Sequence, residues 1–379
     1  MTTIIKAATA ADFLALVPHL AGYTPTESIA LIPFRGSRTI GVMRFDLPPV
    51  DAGEELDRIA ATFIGMVCKL ADADGVTPVV FTDAPFRTDD DIVHGELVRA
   101  VIRRADACGL HVADALCLAA DGWGSYLDPG CPPEGRSRAE LPAELGVPEP
   151  RDVSGDQAAG VELPHADLAE KERVAGALRA IEATVRVVCG ESDGSGSMAE
   201  LDPQAIAAVS ALDDVPMLFE DALTWDVEHL PPYDAAALTW CLARPSLRDV
   251  ALSQWAGDMV AGDDALEAQR RWEDGEDYPD DLALVMFGEG PRPDPDRLQG
   301  ALDLTRRLAA ACPRDAAPAL LATAGWLAWA LGRSTYAHWH ASRALDLDPD
   351  HGLAGIVSSF VSAGHLPEWA FERPAPRAT

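Results

Sequence analysis

The chain has 379 residues, 48% hydrophobic and 24% charged, a globular balance that excludes wholesale disorder. At roughly 150 residues per domain, two or three domains are expected. Against 61 Asp and Glu stand 30 Lys and Arg, a formal net charge of −31. Such a surface repels phosphate backbones and anionic lipid, which argues against general binding to nucleic acid or a membrane surface.

The opening segment, MTTIIKAATAADFLALVPHL, carries one lysine and a short apolar patch broken by Asp12 and Pro18. It is too short and interrupted for a signal peptide, and no run approaches the ~20 apolar residues of a membrane span. Seven cysteines (68, 108, 117, 131, 189, 241 and 312) form no C-x-x-C pair and no regular framework. Scattered thiols of odd number suit a reducing compartment, so a cytoplasmic location is expected.

Residues 28–32 and 39–46 read as strands joined at Arg35-Gly36-Ser37-Arg38, a hairpin with a glycine-containing turn. Asp51 to Ala73 has helical spacing (Leu56, Ile59, Ala60, Phe63, Val67, Leu70), with acidic residues at its positive end. Thr77–Phe81 is a short apolar strand, and 89–107 a second amphipathic helix. Strands follow at 111–119 and 123–127, separated by Asp121-Gly122. The order ββαβαββ implies two crossover units, hence an α/β domain over 1–130 with a mostly parallel sheet and a hairpin at each end.

Residues 131–165, rich in Pro, Gly and charge, are expected to be an excursion or linker. From 166 to 379 the pattern is helical. Apolar steps of four and three run from Val174 to Val188, and further helices are expected near 203–212, 234–243, 246–261, 280–287, 297–311, 317–331, 334–347 and 352–363. The stretch 318–349 looks like a tetratricopeptide unit, with Gly325, Ala337 and Ala344 where two helices touch, Gly332 at the turn and Pro349 ending the second helix. No second copy keeps this phase, so an irregular helical stack fits better than a regular array.

Chemical motifs are sparse. GESDG at 190–194 matches G-x-S-x-G, but the helical phase reaching Val188 makes Gly190 a stop signal and Ser192 a loop residue, not a nucleophile. His338 and His340, two apart on a helix, face different ways. No histidine or cysteine spacing suits a metal, and neither G-x-G-x-x-G after a strand nor G-K-[ST] occurs, so no metal and no cofactor are expected. A positional argument remains, because ligands in open α/β sheets sit outside the carboxyl ends of strands. Those ends carry Arg44 and Asp46, then Thr82 and Asp83, with Arg87 beyond. The loop 22–28, with Glu27 and Ser28, and the segment holding Trp123 and Ser125 complete the candidate ligand-binding set.

Several segments together, FLALVPHLAGYTPTESIALI at 13–32, MRFDLPP at 43–49 and WGSYLDPGCPPEG at 123–135, resemble an actinobacterial family of unknown function, number forty-one ninety-two. SLRDVAL at 246–252 and the stretch 326–354 fit its helical half. The resemblance implies the two-part architecture and no settled activity. Its motif positions here are Gly22, Pro25, Ser28, Arg44, Asp46, Trp123, Ser125, Cys131, Pro132 and Gly135, while Asp128 and Gly130 stand where members often carry cysteine.

Two functions follow as expectations. The first is a non-catalytic binding or scaffold protein that meets a protein partner through its helical half. The alternative is a small-molecule enzyme, a hydrolase or nucleotide-handling one, with its site at the strand ends.

Overall fold

The computed structural model describes residues 7–49, 53–88, 91–142, 153–190 and 201–372. It divides into two compact units, Met1–Ala159 and Gly160–Thr379. Ser192 lies outside the described residues.

The first unit opens with a helix the sequence reading did not anticipate, α1 (Ala10–Ala21). Thr9 caps it: its side chain accepts the Asp12 N–H at 3.1 Å, and the Asp12 carboxylate accepts the Thr9 N–H at 3.0 Å. Gly22, at φ 84°, ends it in the left-handed conformation. The strands are β1 (Ser28–Arg35), β2 (Arg38–Thr39), β3 (Met43–Asp46), β4 (Gly75–Phe81), β5 (Arg87–Thr88), β6 (Asp91–Ile92), β7 (Leu116–Leu118) and β8 (Trp123–Ser125). Helices α2 (Leu56–Cys68) and α3 (Gly95–Ala107) lie before and after β4 in the chain.

The sheet is mixed, which corrects the mostly parallel arrangement expected. Its order is β2-β1-β4-β7-β8, with β3 also on β1, and only β4 and β7 pair in parallel. β1 runs antiparallel to β2, β3 and β4, and β8 antiparallel to β7. The physical reason is the position of β1. Its residues Ser28–Pro33 are all buried, so it takes the interior place between β3 and β4. β3, β4 and β7 still share one direction, with β4 reached through α2 and β7 through α3, and β1 runs against them.

Alternate residues give the sheet two covered faces. Ala30, Ile32, Val79, Phe81, Leu116 and Trp123 pack with Leu14 and Val17 of α1. Ile29, Leu31, Val76, Val80 and Cys117 pack with Phe63, Ile64 and Val67 of α2 and with Leu97 and Val101 of α3. Each Val, Leu, Ile or Phe among them, fully buried, contributes roughly 1.5–3 kcal/mol. The small β5–β6 hairpin delays α3 to Gly95, six residues after the expected start. Residues 131–136 also belong to this unit: Arg136 pairs with Trp123 through N–H···O bonds of 3.0 and 2.7 Å, and Gly135 lies against Phe86.

The second unit is helical: α4 (Leu168–Val188), α5 (Pro203–Ser210), α6 (Val215–Ala222), α7 (Pro232–Leu242), α8 (Pro245–Ala256), α9 (Met259–Glu273), α10 (Asp280–Val285), α11 (Pro295–Ala311), α12 (Ala317–Ala330), α13 (Ser334–Leu347) and α14 (Gly352–Ser362). α4 ends before Gly190, which has φ 71°. α6 was not anticipated. The expected helix at 246–261 corresponds to α8, which ends before Gly257; Asp258 then caps α9 by accepting the Ala261 N–H at 3.1 Å, and the run of α9 beyond Ala261 was not anticipated.

Gly325 of α12 lies against Ala337 and Ala341 of α13, where an added Cβ would stand 3.4 Å from the Ala341 nitrogen. α12 is buried from Leu320 to Ala330 and packs against α11, α13 and α14. That is the setting of a central core helix, hydrophobic all round, and not of a repeat with a free face. Its tryptophans donate to loop carbonyls, Trp326 to Met286 after α10 at 3.0 Å and Trp329 to His365 after α14 at 2.7 Å.

Candidate functional site

Strand register places most of the candidate residues in two rows on the α1 face of the sheet. Asp46, Ser28, Phe81, Leu118 and Trp123 are successive cross-strand partners at one rim. Arg44, Ala30, Val79, Leu116 and Ser125 form the next row inward. At about 4.8 Å per strand, Trp123 stands roughly 14 Å from Ser28. The candidates therefore share a rim but separate into three clusters.

The first centres on Arg44. Its Nη1 donates to Ser28 Oγ at 2.9 Å and to Asp46 Oδ1 at 2.6 Å, and its side chain is only 11% exposed. Residues two apart on a strand share a face, so the R-x-D spacing itself makes this pair. Tyr23 joins the cluster. Burial raises its hydroxyl above the ordinary value, opposed by the Arg44 charge and hydrogen bond. Asp46 neutralises Arg44, so the guanidinium is engaged within the protein.

The second cluster is built by Glu27. Its Oε1 accepts Thr82 Oγ1 at 3.0 Å and the Asp83 N–H at 2.6 Å, joining the start of β1 to the end of β4. Glu27 is held at φ 41°, in the left-handed region that side chains avoid. The preceding loop is pinned from residues 153–157: Thr24 donates to Val153 O at 2.7 Å, and Gln157 both accepts from Thr26 N and donates to Thr26 O.

His94 belongs here too, and sequence reasoning missed it. It stands at φ 58°, immediately before α3, half-buried. Burial lowers its pKa below the ordinary histidine value, and the Glu27 charge opposes that shift. Burial thus disfavours the charged imidazole, while the Glu27 carboxylate favours it. Glu27 and His94 are the two non-glycine residues of positive φ among the described residues. The backbone before His94 is fixed by Tyr126 Oη, which donates to Val93 O at 2.6 Å, and by Val93 N, which donates to Phe86 O at 3.0 Å. After it, Gly95 leaves room for Asp91, whose Oδ2 would lie 2.5 Å from an added Cβ. In the sequence DIVHG nothing marks the histidine, because its placement depends on the β5–β6 hairpin.

The third cluster holds Trp123 and Ser125, in an open groove of about 590 Å³ with Thr9, Asp114, Asp128 and Arg136. Its polar groups pair with one another. Ser125 Oγ donates to Asp114 Oδ1 at 2.5 Å, Arg136 bridges Asp128 at 2.7 Å, and the same guanidinium sits 5.3 Å over the Trp123 ring. Trp123 Nε1 donates to Ser137 O at 3.0 Å. Arg87 points elsewhere, donating to Pro133 O at 3.4 Å. Among the described residues no group of three or more His, Cys, Asp or Glu is set to hold a metal, and no helix is long and apolar enough to cross a membrane.

A family model described as a domain of unknown function, DUF4192, matches residues 11–275 and 281–368, most of both units. The chain belongs to the DUF4192 family. No curated protein and no solved structure matches it. In this DUF4192 chain the motif positions take structural roles that the geometry explains. Gly22 ends α1, Arg44 and Asp46 pair across Ser28, and Gly135, at φ 76°, presses on Phe86. Asp128 is an ion-pair partner of Arg136 and accepts the Gly130 N–H at 2.8 Å.

Proposed function

We propose that the α/β unit of this DUF4192 protein binds a small cationic or hydroxyl-bearing molecule at Glu27, Asp83 and His94. The observation that carries this reading is backbone strain, with Glu27 and His94 both held at positive φ and Glu27 bonded to Thr82 and Asp83 at the end of β4. The left-handed conformation costs roughly 1–2 kcal/mol per residue. Strain of that kind concentrates at ligand sites, where the surroundings hold it in place. The position, outside the carboxyl ends of β3 and β4, is where open α/β sheets take their ligands.

Charge decides the ligand class. The rim presents the carboxylates of Glu27, Asp46 and Asp83, and Asp46 already neutralises Arg44. A phosphate would meet repulsion there, which weakens the nucleotide-handling reading. An amine or polyol would meet carboxylate acceptors and an imidazole. A binding role is thus kept but moves from the helical half to the sheet rim.

A thermal-shift screen of spermidine, simple primary amines, sugars and phosphorylated metabolites tests the reading. Amines or sugars should raise the Tm of the wild type, and the increment should vanish in Asp83→Asn and His94→Gln. Stabilisation by phosphorylated compounds alone, lost in Arg44→Ala, would replace this ligand class with an anion.

A further inference from the structure

α14 turns Leu353, Ala354 and Val357 into the core and leaves Ile356 44% exposed. One turn on, Phe360 is half-buried between Trp329 and Phe287, with ring centroids 4.7 and 6.0 Å away. Phe287 is itself 48% exposed, and Leu284, three residues earlier, 40%. The backbone fixes this exposure. Gly288, at φ 85°, fits against Pro367 and Trp329, where an added Cβ would stand 2.6 and 2.7 Å away. Its carbonyl accepts the Glu368 N–H at 2.8 Å, and a ring nitrogen of His365 lies 3.3 Å from the Phe287 carbonyl oxygen. Phe287 is therefore held in its exposed position from both sides.

Two uncharged stretches meet at this face. Residues 282–288 and 351–367 contain no Asp, Glu, Lys or Arg, in a chain that is 24% charged. The Ser359 hydroxyl, also on α14, donates to Gly355 O at 2.8 Å and so needs no bond from outside. An apolar patch bordered by charged residues, here Asp280, Asp281 and Glu368, all exposed, marks an interaction surface.

We propose that the face carrying Phe287 and Ile356 joins two copies of this chain in an isologous dimer. Charge selects the occupant. At a net −31, two copies repel wherever their carboxylates face one another, so they meet with least repulsion across a face that has none. A basic partner would be drawn to the carboxylates instead and would gain nothing from this face. The chain's own residues 373–379, RPAPRAT, bring two arginines and no large apolar side chain to cover it. Across a two-fold axis the patch meets itself, and each copy offers Phe287 and Ile356 to the other. The inference does not depend on the sheet rim being a ligand site.

Sedimentation velocity on the full chain, up to about 100 μM protein and at low salt and about 0.5 M NaCl, tests this. The wild type should show a monomer–dimer equilibrium that tightens about tenfold or more at high salt, because salt screens the bordering carboxylates and leaves apolar burial intact. Ile356→Glu and Phe287→Ser should each weaken the dimer at least about tenfold, the loss expected for a central apolar anchor. Trp272→Ser, which removes an exposed aromatic from α9, should leave it unchanged. Far-UV circular dichroism on both face variants separates a lost dimer from a lost fold. A monomer under every condition, a dimer that salt weakens, or a dimer that both face variants keep would overturn the proposal. Dimerisation that appears only once residues 373–379 are removed would make that tail the occupant and overturn it too.

Discussion

Glu27 Oε1 accepts the Asp83 N–H at 2.6 Å, a contact that spans 56 residues of sequence and fastens the first residue of the rim to the end of β4. The same oxygen takes the Thr82 hydroxyl at 3.0 Å, and Thr82 is 6% exposed. Glu27 thus satisfies one buried hydroxyl and one exposed backbone N–H while its own backbone is strained at φ 41°. Removing the side chain and relieving the strain act in opposite directions.

Glu27→Ala and Glu27→Gly separate the two. Both lose the acceptor, at a cost of roughly 1–3 kcal/mol for the groups left unpaired. Only the glycine variant releases the left-handed strain, about 1 kcal/mol. Glu27→Gly should therefore be the more stable of the pair in urea unfolding, the reverse of the usual order. Equal midpoints would mean that the positive φ carries no cost here.

His94 and Glu27 should titrate as neighbours. The Glu27 charge raises a histidine that burial lowers, so Glu27→Gln should lower the His94 pKa further. Proton NMR of the imidazole across pH 4–8 reads this directly, about one pH unit per 1.4 kcal/mol of coupling. The stability sign follows from the lowered value. In the unfolded chain His94 takes its proton first, so its contribution is complete above the ordinary histidine range and is lost as pH falls towards the folded value. An unchanged titration in Glu27→Gln would separate the two residues and take His94 out of the candidate site.

Gly124→Ala tests whether the segment after 130 is part of the sheet domain. An added Cβ would lie 2.5 Å from Cys131 Sγ and 2.7 Å from the Phe86 ring. Phe86 is 1% exposed and has no room to move outward. Overpacking of this kind costs about 1–3 kcal/mol. The variant should lose that much in urea unfolding of the first unit, and wild-type stability would show that residues 131–136 yield freely.

Periodicity carried most of the helical half because helices declare themselves locally. α4, α11, α12 and α13 lie within a residue or two of the spacing of their apolar positions. α6 escaped because its eight residues begin with Val215-Pro216 and offer barely two turns of pattern. In the sheet, the longer strands were legible, but the β5–β6 hairpin and the strand pairing were not. Ser28–Pro33 is a continuous apolar run, the mark of an interior strand, and that signal places β1 between β3 and β4. The alternating MRFD strand, by contrast, lies at the edge. At the rim, Arg44 and Asp46 were readable from strand spacing and Glu27 from its loop. His94 was hidden, since the hairpin that delivers it moves the start of α3.

His340 offers the sharpest pH test in the helical unit. It is fully buried on α13, its ring 5.0 Å from that of Trp339 in an edge-on arrangement, and neither nitrogen has a hydrogen-bond partner. Burial, aided by the Arg306 charge, lowers its pKa to about 3. Folding therefore excludes a proton that the unfolded chain binds from about pH 6.5 downward. Stability is complete above that value and is lost as pH falls towards 3, with about 2 kcal/mol gone between pH 7 and pH 5. His340→Leu, similar in volume, removes both unpaired nitrogens and this proton. The fall in unfolding free energy from pH 7 to pH 5 should shrink by about 2 kcal/mol in the variant. Glu220, held down to about 2 chiefly by its hydrogen bond from Arg297, loses its contribution at lower pH, from about 4.5 downward, and leaves this window clear. Parallel pH profiles of wild type and His340→Leu between pH 7 and pH 5 would show that the buried imidazole is not what sets the acid sensitivity of the helical unit.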